Sequence, residues 1–370
     1  MKKTIVSIIS EQTIPNYLFI KANYERGDSL LFISSDKYKE RIEWIVNTLA
    51  YRFPCEIERV VFPAGCEERW VDMQELLQKV LSAEKHYLVN LTGGTKYMSL
   101  LVQHVFEPFK SKFGYIPHPK NCFLVPNKNE ALPLDYRITV DEYLSNYNVA
   151  YTHKEVVEEE VYTDCFFRRF VTGRLNFDVV NSLRAYRDKK QIKISEIETC
   201  EGTEKRPRVE GLSDFLKDIG FPMGSEGVLN KKEIEYLTGG WFEEYMYYVI
   251  KKYIHPQDIR LGVLIKKTEN HNQNDLDVVF TSGNKLFVIE CKTGIDGVRM
   301  FNETVYKATA IKEAVLGLSA NTFIVSLASE DERLKATAKN MGISYKCRED
   351  VSKPELLEKF IKEIKDKAQD

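Results

Sequence analysis

A chain of 370 residues has room for two or three domains with cores of their own. With 43% apolar and 29% charged residues it has the composition of a soluble globular protein, and no stretch approaches the ~20 apolar residues of a membrane span. A net charge of −2 excludes overall basicity as the means of holding a phosphate-rich polymer. Any such binding needs clustered cations, for which Lys266, Lys267, Lys292, Arg299 and Lys307 are the candidates.

The opening Met1-Lys2-Lys3-Thr4-Ile5-Val6 reads as a first strand rather than a signal peptide. Seven scattered cysteines without Cys-x-x-Cys spacing suit a reducing cytoplasm and argue against structural zinc. Short apolar runs at 4–10, 29–34, 56–61 and 85–90 alternate with helical patterns at 15–23, 37–51 and 67–81. That alternation predicts an α/β domain with a parallel sheet. Further β elements are expected at 113–116 and 122–125, separated by Pro117, His118 and Pro119.

Ligands of open parallel sheets bind outside the carboxyl ends of the strands. Three loops at that edge carry suitable groups. The first holds Ser10, Gln12 and Thr13, and the second Ser34 and Ser35. The third is Asn90-Leu91-Thr92-Gly93-Gly94-Thr95-Lys96, followed by a helix over 97–106. Two glycines let the backbone approach a ligand closely, the helix start supplies free N–H groups, and Lys96 adds a cation. This is neither a Walker A loop nor Gly-x-Gly-x-x-Gly; a threonine-capped turn is the plain alternative.

The middle of the chain, 146–235, is the least informative. It opens on an acidic run (Glu155, Glu158, Glu159, Glu160), then predicts a helix at 177–186 and a polar stretch over 201–208. Phe166-Phe167-Arg168-Arg169 fits either a nucleic-acid contact or a helix with one apolar face. The segment is expected to be a connector between two functional domains.

The strongest chemical signal follows. Asp277 opens the run Val278-Val279-Phe280, and thirteen residues later Glu290-Cys291-Lys292 closes Leu286-Phe287-Val288-Ile289. Strand alternation puts Glu290 and Lys292 on one face and Cys291 on the other, in the core. Carboxylates on neighbouring strands hold Mg2+ or Mn2+ through oxygen, and a lysine beside them orients water or balances charge on a phosphate. Glu-x-Lys alone is a commonplace solvated pair; its placement between two apolar strands gives it weight. Upstream, Gly239-Gly240-Trp241-Phe242-Glu243-Glu244 opens a helix running to about Ile254. Its two carboxylates, Glu243 and Glu244, point about 100° apart, so only one of them can face the strands. Asp275 is expected in a loop. Beyond Lys292 a helix is predicted over 302–318 with Lys307 towards the phosphate, then a strand at 322–327 and helices at 331–340 and 353–367.

Helix, strand, hairpin, strand, helix over 239–310 resembles the core of the PD-(D/E)xK nucleases. That resemblance implies a metal shell of Glu243, Asp277 and Glu290, with Lys292 as the catalytic cation. The segment Val-Asn-Leu-Thr-Gly-Gly-Thr-Lys-Tyr-Met, with the opening Ser-Ile-Ile-Ser-Glu-Gln-Thr-Ile-Pro-Asn, resembles the CRISPR-associated Rossmann-fold (CARF) sensors. Together they are similar to the ring-oligoadenylate-activated accessory nucleases of type III CRISPR systems, over about 1–145 and 235–310. The resemblance implies a CARF sensor over 1–145, a connector over 146–235 and a restriction-endonuclease-like α/β domain over 236–370. It implies a homodimer with cyclic tetra-adenylate bound across the twofold axis. Ser10, Gln12, Thr13, Ser34, Thr92, Gly93, Gly94, Thr95 and Lys96 would contact the ring, with Lys96 its main cation and Tyr38 and Tyr97 available for adenine stacking. DNA and single-stranded RNA remain equal as substrates. A non-catalytic sensor and a ring nuclease are the competing functions.

Overall fold

The computed structural model describes residues 2–49, 55–117, 120–126, 128–155, 160–173, 177–203, 205–222, 227–266, 274–293 and 320–369. His118, Pro119, Glu158, Glu159, Lys267, Arg299, Lys307 and the helix expected over 302–318 lie outside these residues.

The N-terminal sheet is parallel, with strands β1 (Thr4–Ile9), β2 (Ser29–Ser35), β3 (Ile57–Phe62), β4 (Tyr87–Asn90) and β5 (Lys112–Gly114) in the order β3-β2-β1-β4-β5. β1 is buried along its whole length, as a central parallel strand covered on both faces must be. Its alternate residues divide between two cores. Val6 and Ile8 pack with Met73, Leu77 and Leu101 of α3 (Trp70–Gln78) and α4 (Lys96–Phe106), whereas Ile5 and Ile9 pack with Phe19 and Ile42 of α1 (Ile14–Asn23) and α2 (Glu40–Leu49). The order switches direction at β1, where β2 and β4 flank it, and a crevice opens there at the carboxyl ends.

The hairpin β6 (Cys122–Leu124) and β7 (Ala131–Pro133) and the short helix α5 (Val140–Ser145) carry the chain to the second sheet. That sheet consists of β8 (Ala150–Lys154), β11 (Asp258–Lys266), β12 (Asn274–Ser282), β13 (Lys285–Lys292), β14 (Ala320–Ser326) and β15 (Ser344–Lys346), ordered β15-β14-β13-β12-β11-β8. β8, β11, β12 and β13 pair antiparallel; β13, β14 and β15 pair parallel. Asp275 pairs with Leu264 inside β12, so it is a strand residue and not the loop residue expected.

The middle segment is built into this domain. β8 is a strand of its sheet, and α6 (Glu160–Val171) lies on α11 (Trp241–Ile254), with the Phe167 ring stacked on Tyr245 at 3.8 Å and Phe166 against Trp241 at 4.7 Å. Leu183, Ile197 and Leu216 share one core with Phe287 and Phe323. Arg168 and Arg169 are paired with Asp164 and Asp218, so the apolar-face reading of this helix accounts for the Phe-Phe-Arg-Arg run. α10 (Lys231–Glu235) leads into α11 through a turn, Tyr236–Gly240, kinked at Gly239, and Leu229, Ile234, Leu237 and Trp241 on both sides of 235 share one core. The strands β9 (Gln191–Lys193) and β10 (Val228–Asn230) pair at the base of the segment.

The two sheets also meet directly. Val263, Ile265, Leu276, Val279 and Val288 belong to the same core as α1, α2 and α5. The turn joining β12 to β13 is Gly283-Asn284, both with positive φ (59° and 62°), which suits a two-residue hairpin of the I′ kind. Asn284 plugs into the sensor side: its Oδ1 accepts from the Ile138 N–H at 2.9 Å, and its Nδ2 donates to Asn121 Oδ1 and the Tyr136 carbonyl at 2.9 and 3.0 Å. Asn284→Gly keeps the backbone freedom but deletes these bonds and orphans a buried N–H. It is expected to cost about 2 kcal/mol in denaturant unfolding; an unchanged midpoint would show that water replaces the amide freely.

Candidate functional site

Two sites emerge. The first is the sensor crevice, a cleft of about 980 Å3. Of the residues expected to hold a ligand, Ser10, Gln12, Thr92, Gly93, Gly94 and Thr95 line it, joined by Ser35, Lys37, Tyr38, Tyr97 and Tyr115. Thr13 and Ser34 do not. Both are fully buried beneath it, the Thr13 hydroxyl donating to the Asn146 carbonyl (2.8 Å) and that of Ser34 to the Ser35 carbonyl (2.9 Å). Lys96 stands exposed at the start of α4 and is not part of the cleft lining; the lysine that is, Lys37, lies 5.0 Å from the Tyr38 ring centroid.

The Thr92–Thr95 loop is held from below by a buried amide relay. Asn16 donates to the Ile8 carbonyl at 3.0 Å, Asn90 donates to Asn16 Oδ1 at 2.8 Å, and Asn90 Oδ1 accepts from both the N–H and the hydroxyl of Thr92. Thr92 Oγ1 in turn accepts from the Ile116 N–H at 2.8 Å. Thr95 caps α4 by accepting from the Met98 N–H. The result is a rigid loop feeding a helix N-terminus, which favours an anionic ligand. Sequence reading missed Asn16, since an Asn inside a helical run gives no sign of a tertiary partner.

The second site lies where β13 ends beside β12 and the first turn of α11. Lys292 Nζ is 3.5 Å from Glu290 Oε2 and 3.8 Å from Asp277 Oδ2, and Asp277 Oδ2 also accepts the Cys291 N–H at 2.6 Å. Cys291 is buried in the core with Ile289, and burial pushes its thiol well up. Glu243 joins this group, whereas Glu244, 2% exposed, is buried. Burial, and then Asp277, push the Glu243 carboxyl up to about 7. Lys154 of β8 bridges Glu243 (3.4 Å) and Asp275 (4.0 Å). Burial alone would weaken the Lys154 and Lys292 ammoniums, but the surrounding carboxylates outweigh it and raise both. Lys154 was not foreseen: its strand comes from the middle segment, over eighty residues upstream of Glu243, and only the sheet order brings it here.

The four carboxylates are hard oxygen donors of the kind Mg2+ and Mn2+ prefer. Among the described residues no three potential ligands converge tightly enough to hold one ion, because the two ammoniums stand between the carboxylates. A cation would have to draw the carboxylates together by rotamer changes.

A parallel-sheet domain with an open cleft at its strand ends thus shares its core with a second domain that gathers carboxylates and lysines at a strand end. The Card1 CARF domain family matches residues 4–143, and the Card1-like endonuclease domain family matches residues 230–363. The chain therefore joins a Card1-type CARF domain to a Card1-like endonuclease domain. Among solved structures it resembles protein VC1899 from Vibrio cholerae, with 18% identity and a TM-score of 0.77 over 100% of this chain and 99% of that one. It also resembles Can2 from Sulfobacillus thermosulfidooxidans in complex with cyclic tetra-adenylate, with 22% identity and a TM-score of 0.73 over 97% and 99%. At these identities the likeness establishes the fold. No curated protein matches the chain. Among the described residues no helix is long and apolar enough to cross a membrane.

Proposed function

We propose that this protein is a Mg2+- or Mn2+-dependent nuclease of the PD-(D/E)xK kind, switched on by cyclic tetra-adenylate in antiviral CRISPR defence. Its substrates are DNA, single-stranded RNA or both. The observation that carries the nuclease reading is that Glu243, Asp277, Glu290 and Lys292 come from three elements to neighbouring places at one strand end. Glu243, Asp277 and Glu290 would hold the ion, which when bound polarises a phosphate oxygen and acidifies water. Lys292 supplies positive charge beside them for the phosphate, and Asp277, accepting from the Cys291 backbone, keeps β12 and β13 in register at the site.

The sensor reading rests on the cleft and on the relative solved with cyclic tetra-adenylate. The cleft offers hydroxyls, a helix N-terminus, the cation Lys37 and the rings of Tyr38, Tyr97 and Tyr115, with Glu11, Glu67 and Glu68 also on its lining. Beside its mouth, α3 and α4 expose Val71 (63%), Leu100 (59%) and Tyr97 (41%), an apolar surface that a second copy would cover in a homodimer. The ring must prefer the cleavage-competent arrangement, not merely bind, if it is to activate.

The test is cleavage of supercoiled plasmid and labelled single-stranded RNA in Mn2+, with and without cyclic tetra-adenylate, and with EDTA. Cleavage that needs both ring and metal is the expected result. Metal-dependent cleavage indifferent to the ring would sink the sensor, and ring binding without turnover would sink the nuclease. Loss of the ring itself in EDTA would instead identify a ring nuclease.

A further inference from the structure

The carboxylate site has a second set of cations, and they come from the middle segment. Arg184 and Arg187 lie at the end of α7 (Phe177–Leu183), on and just after its closing 3-10 turn, Arg184–Tyr186. Leu183 and Tyr186 are buried between and beside them, so the turn itself is anchored in the core. A three-residue spacing sends both guanidiniums to the same side. Arg187 donates through Nε to Thr238 Oγ1 at 2.7 Å and through Nη2 to the Thr238 carbonyl at 2.8 Å. Arg184 donates through Nη2 to Thr293 Oγ1 at 2.8 Å. Thr238 sits in the turn that launches α11 and Glu243; Thr293 directly follows Lys292. The two arginines therefore clasp the two elements that bring the carboxylates together.

Charge decides what they are for. Four carboxylates against the ammoniums of Lys154 and Lys292 leave the pocket negative, and a phosphodiester backbone would be repelled from it. Arg187 is exposed, and among the described residues its hydrogen bonds go to Thr238 alone, which takes two of its five N–H donors. Burial lowers the pKa of the Arg187 guanidinium, opposed by the charges of Glu243 and then Glu235. A planar guanidinium held on one edge and open on the other is suited to a phosphate.

We propose that Arg187, supported by Arg184, grips a phosphate of the nucleic-acid substrate and positions the strand against the carboxylate site. This rests on the nuclease reading and gives the middle segment a place in substrate binding, alongside any part in relaying the sensor's state.

The full-length protein, with cyclic tetra-adenylate present and EDTA in place of metal, is titrated into fluorescein-labelled single-stranded DNA and RNA oligonucleotides across a range of salt. Arg187→Gln keeps a donor for the Thr238 carbonyl, and thermal melting checks that it folds. The expected result is roughly tenfold weaker binding, with the slope of log K against log salt smaller by about 0.7, the signature of one lost phosphate contact. Arg184→Gln reads the neighbouring guanidinium in the same way and carries the test if Arg187→Gln does not fold. A wild-type slope in the folded variant overturns the proposal and leaves Arg187 a strut between elements. Failure of the wild-type protein to bind either oligonucleotide overturns this proposal, whereas the nuclease reading falls only if the wild-type protein also fails to cleave both in Mn2+.

Discussion

Replacing Lys292 by alanine is expected to lower ring-dependent cleavage by about a thousandfold or more, the scale seen when a charge-stabilising group is deleted from an active site, with ring affinity unchanged. The same substitution should destabilise the fold. The Lys292 ammonium lies between Glu290 and Asp277, whose side chains are only 2% and 10% exposed, and removing it leaves those carboxylates without its charge. Breaking such a pair costs several kcal/mol when fully buried; with 30% of the lysine side chain exposed, roughly 2 kcal/mol is expected. Because its pKa is raised, this contribution is present throughout neutral pH and fades only above the ordinary lysine range.

Glu243→Gln should abolish cleavage as well, but with the opposite effect on stability in EDTA. The folded-state pKa of Glu243 is raised from 4.5 to about 7, so folding favours its protonated form. The associated stability is present below about pH 4.5 and lost as pH rises through about 7. Glutamine mimics the protonated state at every pH. Melting at pH 8 should therefore be higher for Glu243→Gln than for wild type, whereas at pH 4 the two should coincide. Two inactive variants moving the melting temperature in opposite directions would separate lost chemistry from lost fold. If Glu243→Gln cleaves normally, Glu243 has no part in the reaction.

How far the sequence led can be argued from these same residues. Period-two alternation placed Glu290, Cys291 and Lys292 on their strand, and the helical phase of α11 allowed only one of Glu243 and Glu244 to face the strands without saying which, because both are local geometry. The Gly93-Gly94 turn was legible for the same reason. What stayed hidden depends on how distant segments meet. Lys154 reaches the carboxylates only because β8 pairs with β11, and Arg187 only because α7 lies under the turn before α11. Thr13 and Ser34 illustrate the converse: hydroxyls at the right end of the right strands, already committed to carbonyls beneath the cleft. Asp275 looked like a loop residue because nothing local marks where a strand starts.

Gly93→Ala should remove ring binding with the other site left intact. A Cβ at Gly93 would stand 1.8 Å from the Ile8 carbonyl oxygen and 3.2 Å from Asn16 Nδ2. Ile8 cannot yield, since β1 is paired on both sides, with β2 and with β4. The loop would have to lift instead, and Thr92 resists that through its bonds to Asn90 and to the Ile116 N–H. Overpacking against a fixed backbone typically costs 1–3 kcal/mol, and the upper end, about 3 kcal/mol, is expected here. A loop displaced by even an ångström no longer aims the N–H groups of α4 at a phosphate, so calorimetric titration should show cyclic tetra-adenylate affinity falling about a hundredfold or more. Thr92→Val provides the milder comparison, deleting the hydroxyl bonds without the clash. Wild-type ring affinity in a folded Gly93→Ala protein would mean that the ring binds away from this loop, and the sensor would then have to be sought on another surface of the sheet.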